Sequence, residues 1–242
     1  MKTEENMKKK IITTTSLIAV ASIAYYLHKN HVPELINLKQ ATQEFEQTHD
    51  ATMLEKRKQQ IFNYYTTDAF EKDVQKVYTK ALKQFCQLTV TPKSLIIFDV
   101  DDTAFYNYQY RDDAEFIWKH QPELIKARQT KIVPAIKATL AFYHELKNLG
   151  FKTVFVSSRN QAVYDEYYKN LTDIGYHDFD KLILMPDKLA FDQNIKTADW
   201  KLGIRKQLAQ EYTIVGCVGD RTVDFKGGYT GYEVKIPNYI FE

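Results

Sequence analysis

The sequence lacks the residues that define several familiar classes of protein. Its 242 residues include only two cysteines, Cys86 and Cys217, so a scaffold built on many disulfides is excluded. No Cys-x-x-Cys pair is present to hold a structural zinc ion. The phosphate-binding Gly-x-x-x-x-Gly-Lys-Ser/Thr loop and the dinucleotide-binding Gly-x-Gly-x-x-Gly are also missing. These absences argue against zinc modules and two common nucleotide-binding folds.

A strong charge of one sign is lacking as well. The chain has 33 Lys and Arg against 31 Asp and Glu, and a net charge of +2 gives no reason to expect nucleic acid as a partner. The charge is unevenly distributed, because residues 1–30 contain five lysines and two glutamates. The first thirty residues therefore carry +3, and the other 212 carry −1.

The basic start of the chain precedes its one long uncharged run. Lys8 to Lys10 are followed by 17 uncharged residues, 11–27, close to the lower limit of about 17–25 residues for a membrane-spanning helix. The small residues Ala19-Val20-Ala21 suit a cleaved signal peptide, whereas Tyr25 and Tyr26 favour an uncleaved anchor. A buried helix of a cytosolic protein is the third alternative. Because lysines stay on the cytoplasmic side, we predict export to the periplasm or the outer membrane face, with membrane contact only through this segment.

The rest of the chain alternates between helical and strand patterns. Apolar residues recur at helical spacing over residues 33–87, which predicts a helical extension at about 31–92, closed by Pro92. Apolar runs typical of buried strands follow at residues 94–98, 152–156, 182–184, 213–218 and 232–236. Helical patterns lie between them at residues 133–149, 161–173 and 197–210. We therefore predict an α/β fold over residues 93–242, with a doubly wound, mostly parallel sheet and a helical insert at about 105–132.

Ligands in such sheets bind beyond the carboxyl ends of the strands, so functional residues are expected directly after each strand. Asp99, Asp101 and Asp102 follow the first strand, and packing does not require three carboxylates within four residues. Alternation along the chain puts Asp99 and Asp101 on the same side, where carboxylates can serve as nucleophile and acid or base, or bind a cation. The alternative is a polar turn in which Asp102 caps a helix.

Further polar groups occur at the other strand ends. They are Ser157, Ser158 and Arg159 after the second strand, Lys201 and Arg205 on the helix before the fourth, and Asp220 and Asp224 after the fourth. Taken singly, these groups are explained more simply as helix caps, a surface Asp and a solvated basic face. Together they place anion-binding and cation-binding groups at one edge of the sheet.

The order of these segments resembles the motifs of the haloacid dehalogenase-like phosphohydrolases. Those motifs are Asp-x-Asp-x-Thr, a Ser or Thr after a strand, a Lys, and Gly-Asp-x-x-x-Asp, which correspond here to 99–103, Ser157, Lys201 and 219–224. The flanking segments 101–110, 156–159 and 235–238 are similar to the acid phosphatase branch, which includes bacterial exported acid phosphatases and plant vegetative storage proteins. The resemblance covers residues 60–242.

The resemblance implies a role for each candidate residue. Asp99 would be the nucleophile and Asp101 the general acid and base, while Ser157 and Lys201 would neutralise phosphoryl oxygens. Mg²⁺ would be held by Asp99, Asp220, Asp224 and the main-chain carbonyl of Asp101. Ser158, Arg159 and Arg205 would bind substrate, and Lys196 competes with Lys201 for the place of the motif lysine.

The activity implied is hydrolysis of small phosphomonoesters through an aspartyl-phosphate. Aromatic residues at the start of the predicted insert could stack on a nucleoside base or could pack the fold: Phe105, Tyr106, Tyr108, Tyr110, Phe116 and Trp118. A 5′-nucleotidase is therefore the more specific prediction. The alternatives are a phosphotransferase of the same fold and a non-enzymatic storage or envelope protein.

Overall fold

The computed structural model describes residues 51–108, 132–186 and 196–240. The predicted anchor at 11–27 and all but the ends of the predicted insert lie outside these ranges. Within them a five-stranded sheet has the order β3-β2-β1-β4-β5, and every pair is parallel. Its strands are β1 (Ser94–Phe98), β2 (Lys152–Asn160), β3 (Lys181–Met185), β4 (Thr213–Gly219) and β5 (Tyr232–Lys235).

Five α-helices accompany the sheet in this part of the chain. They are α1 (Ala51–Thr66), α2 (Ala69–Phe85), α3 (Lys137–Asn148), α4 (Tyr164–Asp173) and α5 (Thr197–Leu208). Short 3₁₀ turns occupy Gln161–Val163 and Thr222–Asp224. No helix in the described ranges is both long enough and apolar enough to cross a membrane.

Apolar side chains of β1 alternate between two covered faces, which confirms the doubly wound fold. Leu95 and Ile97 belong to one core cluster, together with Trp200 of α5. Phe98 points to the other face, where its ring packs against Phe142 of α3 at 6.4 Å between centroids. Because both faces are covered, β1 is buried over its whole length.

The part of the predicted helical extension that the structure describes is divided between two helices, α1 and α2. The hydroxyls of Thr66 and Thr67 donate to the carbonyls of Phe62 and Asn63, each at 2.7 Å. The carbonyl of Asn63 also accepts from the N–H of Thr67 at 3.2 Å, and hydroxyl donors of this kind compete with the regular hydrogen bonds of a helix. The helix therefore ends at Thr66, and α2 starts at Ala69.

The start of α3 was predicted four residues too early. Asn170 of α4 binds both main-chain groups of Val133, accepting from its N–H at 2.7 Å and donating to its carbonyl at 2.8 Å. Ala135 forms a bridge with Phe105. These contacts hold the segment extended until Lys137.

Glu71 of α2 caps the N-terminus of α3, which receives no side-chain cap from its own N-cap residue, Ile136. The two carboxylate oxygens accept from the N–H groups of Lys137 and Ala138, both at 2.9 Å. This contact ties the predicted helical extension to the core, because α2 belongs to the extension and α3 belongs to the core.

Replacing Glu71 with Ala should lower the free energy of unfolding by about 1–2 kcal/mol, since a charged cap and its two hydrogen bonds are lost. Urea unfolding measures the change. Glu55→Ala is the matched control, because Glu55 is exposed and pairs only with Lys58 three residues away in α1 among the contacts seen. Equal stability of the two variants would contradict the capping role.

The order of the strands fixes where a ligand site can form. From β1 the chain moves to β2 and β3 on one side, and then returns to β4 and β5 on the other. Such a reversal opens a crevice beyond the carboxyl ends of the two central strands. Here those strands are β1 and β4, which lead directly into Asp99 and Asp220.

Candidate active site

A tight turn after β1 presents the first group of aspartates. The N–H groups of Thr103, Ala104 and Phe105 all donate to the carbonyl of Val100, at 2.9–3.3 Å. Asp102 adopts a φ of 63°, a left-handed conformation that Asp tolerates better than most residues. The turn leaves both Asp99 and Asp101 in the lining of one cavity.

Lys201 of α5 connects the two ends of the site. Its ammonium group donates to Asp99 and, at 2.5 Å, to Oδ1 of Asp224, and all three side chains are buried. The side chain of Asp224 can take this position because residue 219 is a glycine. A Cβ atom there would lie 2.4 Å from Oδ2 of Asp224. Lys196 is exposed at the start of α5. The structure therefore brings Lys201, not Lys196, next to Asp99.

Asp220 is held by donors from two other segments. Thr103 Oγ1 donates to its Oδ1 at 3.2 Å, and Asn238, which follows β5, donates to its Oδ2. Asn238 lies in the segment 235–238 that the sequence singled out, although no role was predicted for it. These contacts fix a fully buried carboxylate next to Asp99.

The carboxylates of Asp99, Asp220 and Asp224 offer oxygen atoms within 4.8 Å of one another. Burial raises the pKa of Asp99 to about 7 against the opposing effect of Lys201, and Asp224 adds to the rise. The pKa of Asp220 is raised well above its usual range by burial and by the charges of Asp99 and Asp224. For Lys201, burial alone would lower the pKa, but the two carboxylates outweigh it and raise the pKa.

This donor set fits a divalent cation. If all three buried carboxylates are ionised, one ammonium group faces them and two negative charges lack a counter-charge among these side chains, which together with burial is why the pKa values of Asp99 and Asp220 are raised. Hard cations such as Mg²⁺ prefer oxygen ligands of this kind, and buried charges are stable only when they are compensated. Three of the residues predicted as ligands, Asp99, Asp220 and Asp224, thus come together from the segments that follow β1 and β4.

Asp101 also lines the cavity, and a cluster of donors surrounds its carboxylate. Arg159 binds it with two parallel hydrogen bonds of 3.1 Å, and Ser157 Oγ donates at 3.1 Å. Tyr167 of α4 and Asn107 also reach its carboxylate. The charge of Asp101 raises the pKa of Arg159 above its usual range.

Tyr167 and Asn107 are functional candidates that sequence reasoning missed. Asn107 lies only four residues beyond the motif at 99–103, so its position there was a usable signal. No signal in the sequence pointed to Tyr167, because the sequence does not show which residues of α4 face the site.

The cavity between these groups has a volume of about 260 Å³. Thr197, Arg221 and Val223 contribute to its lining. The other lining residues were all named as candidates from the sequence: Asp99, Asp101, Asp102, Ser157, Ser158, Arg159, Lys201, Asp220 and Asp224. The lining is mainly charged, as a site for an anionic substrate and its counter-ion requires.

Arg205 is the exception, and the structure does not support its predicted role in substrate binding. Its guanidinium donates to the main-chain carbonyls of Asp224 at 2.7 Å and Gly228 at 2.9 Å, and also to that of Lys226. It is buried and is not part of the cavity lining. Arg205 instead fixes the loop after β4, and with it the position of Asp224.

The aromatic residues that opened the predicted insert pack inside the fold where the structure describes them. Tyr108 stacks on Tyr65 at 4.8 Å, Tyr106 packs against Phe70, and Phe105 against Tyr167. Tyr110, Phe116 and Trp118 lie outside the described residues. The contacts of Phe105, Tyr106 and Tyr108 are therefore explained by packing within the fold, without stacking on a ligand.

Comparison with protein families gives one match that spans most of the chain. The sequence model of the HAD superfamily, subfamily IIIB (acid phosphatase), matches residues 25–242. The Stem 28 kDa glycoprotein of Glycine max is 31% identical over 186 residues, which are 74% of this chain and 71% of the relative. Acid phosphatase 1 of Solanum lycopersicum is 32% identical over 150 residues, 60% of this chain and 57% of the relative. Vegetative storage protein 1 of Arabidopsis thaliana is 27% identical over 152 residues, 60% of this chain and 54% of that protein.

Solved structures support the fold independently. The class C acid phosphatase of Bacillus anthracis with tungstate bound superposes with a TM-score of 0.57 at 19% identity, covering 70% of this chain and 72% of the other. A second structure of that enzyme gives a TM-score of 0.58 at 20% identity over the same shares. At this level of identity the likeness extends to the fold alone.

Proposed function

The chain belongs to subfamily IIIB of the HAD superfamily, a family of phosphomonoester hydrolases, and from this we propose that it hydrolyses small phosphomonoesters through a phosphoryl group carried on Asp99. One observation carries the proposal. Asp99 lies at the carboxyl end of a central strand, bonded to a buried lysine and flanked by Asp220. A lone structural carboxylate would not need this arrangement of charges.

The proposed reaction has two steps. In the first, a carboxylate oxygen of Asp99 attacks phosphorus, the bond from phosphorus to the ester oxygen breaks, and Asp101 protonates the departing oxygen. In the second, Asp101 takes a proton from water, the water oxygen attacks phosphorus, and orthophosphate leaves while the Asp99 carboxylate is restored. Asp101 thus acts as acid and then as base.

Positive and hydroxyl groups around the cavity would stabilise the transferring phosphoryl group. Lys201 is already bonded to Asp99, next to the attacking oxygen. Ser157 and Arg159 hold Asp101, so their predicted contact with phosphate requires that they exchange this partner for the substrate. Ser158 is exposed at the cavity and needs no such exchange. Most of the catalysis would come from positioning and charge, as is general for phosphoryl transfer.

We assign the cation site to Asp99, Asp220 and Asp224, with the main-chain carbonyl of Asp101. A bound Mg²⁺ would supply positive charge that allows an anionic carboxylate to approach an anionic phosphate. Thr103 and Asn238 would orient Asp220 toward the ion, since outer donors fix the direction of ligating carboxylates.

The direct test is hydrolysis of p-nitrophenyl phosphate by the purified chain with Mg²⁺ and with a chelator. We expect turnover with Mg²⁺ that is lost in the chelator and recovered when Mg²⁺ is restored. No turnover with any divalent cation would refute the proposed function, and turnover that persists in the chelator would refute the cation assignment.

The identity of the leaving group is a separate question. The prediction of a 5′-nucleotidase relied on aromatic residues, three of which pack in the fold. Comparing nucleoside monophosphates with sugar phosphates as substrates tests it. Adding an alcohol to the same assays separates a hydrolase from a phosphotransferase, because only the latter would pass the phosphoryl group to the alcohol.

Export is proposed from the sequence of the first thirty residues. The basic start and the uncharged run at 11–27 support a protein body outside the cytoplasm, either anchored by this segment or released from it. Mass spectrometry of the mature N-terminus distinguishes the two forms.

A further inference from the structure

Donors from three separate elements converge on the carboxylate of Asp101. Arg159 and Ser157 come from β2, Asn107 from the segment after β1, and Tyr167 from α4. The hydroxyl of Tyr167 lies 3.1 Å from one carboxylate oxygen and 3.2 Å from the other, so it faces both.

The ring of Tyr167 is itself fixed. It packs against Phe105 at 5.4 Å between centroids, and Phe105 closes the turn that carries Asp101 through its bond to the carbonyl of Val100. Phe105 also forms a bridge with Asp101. The hydroxyl is therefore aimed at Asp101 by the same turn that positions Asp101.

Tyr167 combines two properties that no other donor in this cluster combines, since Asn107 shares only its place outside the cavity lining and Ser157 shares only its hydroxyl group. Arg159 and Ser157 line the cavity and are expected to turn to the phosphate, whereas Tyr167 is not part of that lining and can keep its contact when substrate binds. A hydroxyl also donates to a carboxylate and accepts from a carboxylic acid, while a guanidinium only donates. The contact with Tyr167 can therefore persist while Asp101 gives up and regains a proton.

We propose that Tyr167 is a positioning residue that holds Asp101 toward the leaving oxygen, and that the cleavage of esters with poor leaving groups depends on it. This inference rests on the proposed function. An alkoxide must be protonated as it leaves, whereas nitrophenolate is stable enough to leave without a proton. A loss of correct orientation at Asp101 should therefore affect alkyl phosphates far more than p-nitrophenyl phosphate.

The test uses Tyr167→Phe, which removes the hydroxyl and keeps the ring against Phe105. The measured quantity is kcat/KM for glycerol 2-phosphate and for p-nitrophenyl phosphate. This constant reports the transfer of the phosphoryl group to Asp99 and not the later hydrolysis of the aspartyl-phosphate. General acid catalysis contributes about 10²–10⁴-fold, so we expect a fall of about 10-fold or more for glycerol 2-phosphate. For p-nitrophenyl phosphate we expect a fall of less than about 2-fold, since its leaving group needs little protonation.

Tyr168→Phe is the matched control, because Tyr168 is the next residue of α4, is 46% exposed, and packs against Phe179 away from the cluster. It should change neither value. Both substrates are measured on one preparation, so partial unfolding lowers both equally and leaves their ratio unchanged. An unchanged ratio in Tyr167→Phe overturns the inference, whereas wild-type protein that cleaves neither ester overturns the proposed function.

Discussion

Replacing Asp99 with Asn should reduce turnover of p-nitrophenyl phosphate by about 10³-fold or more, because a carboxamide is a poor nucleophile and no other group takes its place. The change nearly preserves shape. It removes one of three clustered buried carboxylates, one whose pKa burial already raises to about 7. We therefore expect the free energy of unfolding without Mg²⁺ to stay equal or to rise while activity is lost.

Asp178→Asn is the control for this substitution. Asp178 is exposed and has a φ of 59°, a conformation that Asn also tolerates. Its turnover should match that of the wild type. An active Asp99→Asn variant would exclude Asp99 as the nucleophile, and a large loss of stability would indicate a structural role in its place.

Replacing Lys201 with Met should impair both activity and stability. The buried ammonium group bonds to Asp99 and Asp224, and its removal leaves their charges, with that of Asp220, uncompensated. Breaking a buried ion pair by removing one partner costs roughly 3–5 kcal/mol, so we expect a loss of this order in urea unfolding without Mg²⁺. Turnover with Mg²⁺ should fall by about 10²-fold or more, because a charge that stabilises the transferring group is lost.

Lys196→Met separates the two candidate lysines. Lys196 is exposed at the start of α5, and removal of an exposed lysine should change stability by no more than about 0.5 kcal/mol. Its turnover should stay near the wild-type value. If Lys196→Met loses activity and Lys201→Met keeps it, the assignment of the motif lysine is reversed.

The sequence predicted the central part of the fold well, because the signal there was strong and local. The run at 94–98 matches β1 at both ends, and Asp99 and Asp220 follow buried strands as expected. The rule that ligands bind at the carboxyl ends of parallel strands was then enough to bring the two aspartates together. The distance between Asp99 and Asp220 along the chain would not by itself predict that they lie close together.

The predictions failed where tertiary contacts decide. α3 starts late because Asn170, from a helix later in the chain, holds Val133 extended. Arg205 was predicted to bind substrate because it lies one turn from Lys201, but it is drawn to the carbonyls of the loop after β4. Tyr167 was missed for the same reason, since its partner Asp101 is 66 residues away in the chain.

Chemical trapping tests whether phosphorus becomes covalently bound to Asp99 during turnover. Protein mixed with substrate and Mg²⁺ is quenched during turnover with borohydride, which reduces an acyl phosphate to an alcohol, and is then mapped by mass spectrometry. We expect homoserine at position 99, and none when substrate is omitted. Turnover with an unmodified Asp99, or with the reduced residue at another aspartate, would contradict it.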